Sequence, residues 1–195
     1  MNDTLSALLK ELEQFGHEND ARAKDRSQKM LNITPDTGQF LLLLIRALKA
    51  KRVLEIGTSN GYSTLWLAYA VQPLGGSVTT LESSPSKADM ARANFARAGL
   101  QAWIDLKVLD AGKFIQQQPN EVFDFVFLDS DREAYLAWWR DLQRVLVPGG
   151  LLVSDNAVSH AHEMMDFVRA VQQTRGYLNS LVPVGNGELV VLKEA

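Results

Sequence analysis

The stretch Arg52-Val53-Leu54-Glu55-Ile56-Gly57-Thr58-Ser59-Asn60-Gly61-Tyr62-Ser63-Thr64-Leu65-Trp66-Leu67 decides the fold. An apolar run ends in a carboxylate, passes through two glycines four residues apart, and resumes with helix-like patterning, as when a buried parallel strand hands over to a helix. The loop between them is expected to be a ligand-binding turn. Working outward, the same grammar repeats. A helix over 62–71 ends at Gln72-Pro73-Leu74-Gly75-Gly76, and 77–81 reads as a strand closed by Glu82. Ser84-Pro85 caps a helix that Gly99 ends. Residues 103–109 form a strand closed by Asp110, and 124–128 one closed by Asp129. A helix over 135–145 stops at Pro148-Gly149-Gly150, and 151–154 is a strand closed by Asp155-Asn156. After a helix over 163–173, two apolar runs at 181–184 and 189–192 flank Gly185-Asn186-Gly187, a hairpin signal. Pro183 suits an edge or strand end.

Upstream, Leu5, Leu8, Leu9, Leu12 and Phe15 recur at helical spacing, with Gly16 as the expected stop. Residues 21–30 are rich in charge and read as a solvated helix or a lid-like segment. Thr34-Pro35-Asp36 reads as an N-cap, a proline at the first helical position and an acidic first turn, starting a helix through 48. Helices followed by β-α repeats and a terminal hairpin define an α/β protein with a doubly wound sheet and an antiparallel pair at its end. With 195 residues and no linker or low-complexity segment, one domain is expected over 1–195: a helical segment over 1–50 and an α/β core over 51–195.

Apolar residues make up 46% and charged residues 22%, and the net charge of −3 carries no global nucleic-acid footprint. The absence of cysteine excludes disulfides, thiolate zinc sites and cysteine nucleophiles, so any metal must take oxygen or histidine ligands. The N-terminus lacks a basic region followed by an apolar one, and the longest apolar run, 40–45, is too short for a bilayer; a soluble, cytoplasmic protein without membrane partners is expected.

Five successive strands deliver a carboxylate at their C-terminal ends: Glu55, Glu82, Asp110, Asp129 and Asp155. Ligands of open α/β sheets sit beyond those ends, so the five acids are expected to line one crevice. The pattern Gly57-x-x-x-Gly61 is not the G-x-G-x-x-G of a dinucleotide turn, and no G-x-x-x-x-G-K-[ST] occurs, so no phosphate cradle is indicated. Glu82, about 20 residues past the turn, is placed to accept hydrogen bonds from the two hydroxyls of a ribose. Asp110 with Ala111 is placed to hold an adenine. Adenosine without pyrophosphate remains, and S-adenosylmethionine fits, its cationic sulfonium suiting an acidic crevice.

Three motifs then carry a resemblance: 53–63, Phe125-Val126-Phe127-Leu128-Asp129-Ser130-Asp131 with Tyr135, and Pro148-Gly149-Gly150-Leu151-Leu152-Val153-Ser154-Asp155-Asn156. Together with Thr34-Pro35-Asp36-Thr37-Gly38-Gln39-Phe40-Leu41 they resemble the class I, metal-dependent O-methyltransferases, which include catechol and caffeoyl-CoA O-methyltransferases and bacterial relatives. The resemblance implies a Rossmann-like, seven-stranded, mostly parallel sheet, a homodimer, and methyl transfer to the oxygen of a small hydroxylated acceptor of catechol or hydroxycinnamoyl type. It implies that Glu55, Gly57, Ser59, Gly61, Tyr62 and Ser63 hold the methionine end of the cofactor, near Asn32 and Ile33. Glu82 takes the ribose, Asp110 and Ala111 the adenine edge, and Asp129 also borders the cofactor. Asp129, Asp155 and Asn156 match the metal ligands, and three oxygen donors suit Mg²⁺, with Ca²⁺ or Mn²⁺ as alternatives. Such a cation acidifies and orients a bound hydroxyl.

One position departs from the pattern. Where the family usually carries a lysine able to act as base, this chain has Arg132, and a guanidinium does not surrender its proton. Asp129 and Arg132 are the expected catalytic residues. Where a proton must be removed, either the metal alone acidifies the substrate or Asp131 or a water takes it, and Arg132 either binds an anionic group of the substrate or pairs at the surface with Glu133 or Asp131. His160 and His162 read as a surface pair, and Trp138, Trp139 and Tyr135 as packing. Three rival readings stay in view. A binding protein for S-adenosylmethionine without catalysis is motivated by the missing lysine, and a tRNA-directed enzyme finds no support in the net charge. A serine hydrolase is suggested by Gly57-Thr58-Ser59-Asn60-Gly61 with Asp155 and His160, but its nucleophile elbow needs several strands upstream of Ser59.

Overall fold

The computed structural model describes residues 3–195. Two helices, α1 (Asp3–Arg22) and α2 (Pro35–Leu48), precede β1 (Arg52–Ile56) and α3 (Tyr62–Val71). The chain continues through β2 (Ser77–Glu82), α4 (Pro85–Ala98), β3 (Ile104–Val108), α5 (Ala111–Gln117), β4 (Phe123–Leu128) and α6 (Tyr135–Val145). It closes with β5 (Leu146–Ser154), α7 (Ala161–Gln173), β6 (Tyr177–Val182) and β7 (Glu188–Lys193). The strands form one seven-stranded sheet in the order β3-β2-β1-β4-β5-β7-β6. β1 to β5 run parallel, and β7 pairs antiparallel with both β5 and β6. No helix among the described residues is long and apolar enough to cross a membrane.

Strand pleating divides the core into two layers. Val53, Phe125, Phe127 and Val153 face one side, under α1 to α4, while Leu54, Val126, Leu128 and Leu152 face the other, under α6 and α7. Both faces are covered, which is why the strands read as continuous apolar runs rather than as alternation. α3 is apolar all round because α1 and α2 bury its far side as the sheet buries its near one; only Tyr69 keeps partial exposure. The N-cap expected at Thr34 is present: its hydroxyl accepts from the Thr37 amide, with Pro35 at the first position. Ser84 caps α4 in the same way, and Gly99 ends it at φ +66°.

Three local expectations need correction. α1 runs through Gly16 to Arg22, because that glycine is used for close approach: a Cβ there would meet the Asn32 side chain at 2.6 Å. Asn32 uses that space to donate to the Leu12 carbonyl. β5 begins at Leu146, ahead of Pro148-Gly149-Gly150, since Leu146 pairs with Phe123 before a register shift resets the ladder at Leu151 and Phe125. α5, not anticipated in the sequence, is a short helix whose N-cap is Asp110 itself, accepting from the Lys113 amide at 2.8 Å.

Candidate active site

The sheet order sets the ends of β3, β2, β1, β4 and β5 side by side, so the five strand-end acids stand in a row: Asp110, Glu82, Glu55, Asp129, Asp155. Ladder hydrogen bonds run past the strand ends and fix their backbone. Leu109 N donates to Glu82 O, Gly57 N to Leu81 O, Asp129 N to Ile56 O and Asp155 N to Leu128 O, each at 3.0 Å. The chain order reverses between β1 and β4, the switch point at which such sheets open a crevice.

The turn after β1 depends on its first glycine. Gly57 has φ +110°, and a Cβ there would collide with the backbone carbonyl of Asp129, so only glycine lets this turn pass the end of β4. Gly61, at φ +87°, opens α3. Ser59 gives its hydroxyl to Met30 O and its amide to Glu82 Oε2, both at 2.8 Å. Glu82 also receives the amides of Ser83 and Ser84 on Oε1. These bonds hold the carboxylate at the end of β2 with a lone pair of Oε2 left over for a further donor.

Glu55 behaves differently from the other four acids. It lies one residue short of the end of β1, so the pleat turns it into the layer beneath α3, where it is fully buried and accepts from Ser63 (2.6 Å), Thr64 (2.5 Å) and Thr80 (2.6 Å). Tyr62 is likewise turned inward, 2% exposed. Burial raises the Glu55 carboxyl to about 7 against the opposing pull of the three hydroxyls. Because this lies above the ordinary value of 4.5, folding stability is fully present below about pH 4.5 and falls as pH rises toward 7, by ~3 kcal/mol in all. Glu55→Gln is expected to flatten the melting temperature between pH 5 and 7 relative to the unsubstituted protein; parallel pH curves for the two would show that Glu55 is already ionised in the fold.

Over the turn lies the segment 23–33. Its path from α1 to α2 is pinned three times: Asp20 accepts the amides of Met30 and Leu31, Ser59 bonds Met30 O, and Lys87 Nζ donates to Lys29 O at 2.7 Å. A 3₁₀ turn at Arg26–Gln28 stands here in place of the solvated helix, one of the two readings of this segment. Ile33 is buried at the foot of α2, 3% exposed. At the other end of the row, Asp110 is exposed, and Ala111 begins α5 beside it.

Asp129, Asp155 and Asn156 are brought together. The Asn156 amide donates to Asp155 Oδ2 at 2.9 Å and reaches Asp129 Oδ1 at 3.5 Å, so its N–H groups sit between the two carboxylates. Asn156 has φ +67°, a left-handed conformation that asparagine tolerates at the strand's end. Burial, then Asp155, then Glu55 push the Asp129 carboxyl well above the usual range; burial also raises Asp155. Among the described residues no three Asp, Glu, His or Cys side chains converge as a metal cage; the third donor here is an amide.

The sequence reading missed Glu188. The antiparallel register sets it opposite Asp155, one step beyond the pair Ser154 and Leu189. It is fully buried, accepts from Thr37 Oγ1 at 2.9 Å, and its carboxyl is pushed up to about 10 by burial and by the neighbouring Asp155. The available signal was an acid opening an apolar strand right after Gly187.

Arg132 pairs with neither Glu133 nor Asp131. It is buried in the 3₁₀ turn Arg132–Ala134, and its Nε donates to Glu163 Oε2 of α7 at 2.7 Å. The surface reading of Arg132 fails because α7 folds back over the turn, a contact that spacing along the chain does not show. Tyr135 and Trp139 are packed, as expected, in edge contacts with Phe167, and Tyr135 Oη accepts the Ser130 amide at 2.6 Å. His162 is exposed, and the His160 ring bonds Ser159, not Ser59. Ser59 is spent on Met30, so no Ser-His pair of a hydrolase forms.

A doubly wound, mostly parallel seven-stranded sheet with a C-terminal antiparallel pair is the architecture of the Rossmann-like methyltransferase class. Comparison with known proteins agrees. The family profile described as O-methyltransferase matches residues 2–191. The chain is 35% identical over 156 residues to the catechol O-methyltransferase of Niastella koreensis, covering 74% of this chain and 69% of that one. It is 40% identical over 129 residues to the catechol O-methyltransferase of Mycobacterium tuberculosis, covering 65% and 57%. The solved O-methyltransferase from Bacillus cereus in complex with SAH superposes with a TM-score of 0.81 at 27% identity, covering 96% of this chain and 91% of that one. The chain belongs to the class I S-adenosylmethionine-dependent O-methyltransferase family.

Proposed function

We propose that this enzyme moves the methyl group of S-adenosylmethionine to a hydroxyl of a small catechol- or hydroxycinnamoyl-like acceptor, held by a divalent cation at Asp129, Asp155 and Asn156. The observation that carries the reading is the meeting of two desolvated carboxylates around one amide group at the switch point. Two such acids repel each other, and the Asn156 side-chain amide lies between them as their common donor. Oxygen donors of this kind suit Mg²⁺ first, with Ca²⁺ or Mn²⁺ as alternatives. When bound, the cation would supply a positive charge that acidifies an acceptor hydroxyl.

The remaining residues have distinct tasks in this reading. Glu82 accepts from the ribose hydroxyls, Asp110 and Ala111 border the adenine, and Gly57, Ser59, Gly61 and the start of α3 at Tyr62 and Ser63 face the methionine end. Glu55 serves that end from beneath by fixing Ser63, and Ile33 and Asp129 close its sides. Support for a catechol-like acceptor comes from the names of the two relatives above. The test is methyl transfer from S-adenosylmethionine to catechol: turnover stimulated by Mg²⁺ and removed by EDTA is expected. Tight cofactor binding without transfer to catechol, caffeoyl or tRNA acceptors would leave a binding protein instead.

A further inference from the structure

We propose that Arg132 holds the acceptor's ionised oxygen, so that the acceptor is bound as an oxyanion and its own acidity, rather than a base on the protein, governs transfer. The inference rests on the hydroxyl-methylating reading of the site and adds to it a residue role and a substrate preference.

A charged side chain that is 6% exposed is retained only where its donors are met. Arg132 meets that condition on one side alone. Its Nε is fixed by Glu163, whereas its Nη2 is buried and has no hydrogen-bond partner. A buried donor left unmet is costly, so this nitrogen can serve an acceptor atom that the protein itself does not supply. The head lies within electrostatic reach of Asp129 and Asp155, whose carboxyls it draws down, and of the Tyr135 hydroxyl. Neither aspartate is hydrogen-bonded to it, so the free donor is not spent on them. The Ser130 hydroxyl beside Asp129 is also buried without a partner.

What a guanidinium can do here is narrow. It cannot take the acceptor's proton, but it can donate to the oxygen left behind, and in a desolvated place such a charge-assisted bond is strong. The acceptor's proton leaves to water. The oxygen lone pair then forms the new bond to the methyl carbon as that carbon's bond to sulfur breaks, leaving a neutral thioether. Acceptors whose hydroxyl ionises readily are favoured.

The test uses 4-nitrocatechol, whose ionisation is visible in its absorption, bound to the full-length enzyme saturated with S-adenosylhomocysteine and Mg²⁺. The ionisation midpoint of the bound probe is expected to rise by about one pH unit, a tenfold effect, in Arg132→Met, and to return most of the way in Arg132→Lys. Unchanged S-adenosylhomocysteine affinity reports that both variants are folded. Equal midpoints in all three proteins, with methyl transfer by the unsubstituted enzyme intact, overturn the role of Arg132 and leave the functional reading standing. Absence of both probe binding and methyl transfer in the unsubstituted enzyme removes that reading and this inference with it.

Discussion

Asp129→Asn is expected to lower methyl transfer by on the order of 10³-fold while leaving the metal-free protein no less stable than before. Asp129 is raised far from its ordinary value by burial, by Asp155 and by Glu55, so its charged form works against folding at neutral pH. The asparagine keeps the shape and removes the repulsion. With the second carboxylate gone, the site has lost half of its formal charge, and the rise in melting temperature that Mg²⁺ should give the unsubstituted protein is expected to shrink or vanish. Thermal melts with Mg²⁺ and with EDTA, read beside turnover, separate the two effects. Full activity and an unchanged Mg²⁺ response in the variant would sink the assignment of the cation to this pair.

Glu82→Ala is expected to weaken S-adenosylhomocysteine binding by about 10- to 100-fold, the worth of hydrogen bonds to a charged acceptor. The effect has two sources. The ribose hydroxyls lose their acceptor, and the amides of Ser59, Ser83 and Ser84, all now turned toward Glu82, lose theirs. Glu82→Gln is the intermediate case, since its one oxygen can still receive the Ser83 and Ser84 amides while its NH2 cannot accept from Ser59 and the charge is gone. Titration calorimetry giving the same affinity for both variants and the unsubstituted protein would remove Glu82 from the cofactor site. Asp129→Asn and Glu82→Ala thus strike the acceptor side and the cofactor side of one crevice.

Much of this crevice could be read from single residues. The strand-turn-helix around Gly57 and Gly61, the caps at Thr34 and Ser84, and the acids closing the parallel strands are local features, governed by backbone sterics and by hydrogen bonds a few residues apart. The errors share a different cause. Gly16 looks like a helix stop until Asn32 is seen packed against it, and Glu55 looks like its four fellow acids until the pleat of β1 is known. Arg132 looks like a surface residue with acids on either side until α7 delivers Glu163.

The sequence by itself determined the order of elements, the doubly wound sheet and which acids would end the strands, because apolar periodicity and turn chemistry act over short separations. Only the tertiary structure decided which of those acids reach the surface, as Asp110 does, and which are buried, as Glu55 is. It also set Glu188 opposite Asp155, through an antiparallel register between strands more than thirty residues apart. The Arg132 guanidinium owes its position to the same kind of long-range contact, one N–H fixed to Glu163 and Nη2 left without a partner. Desolvation is a property of packing from all sides, and no stretch of chain carries it alone.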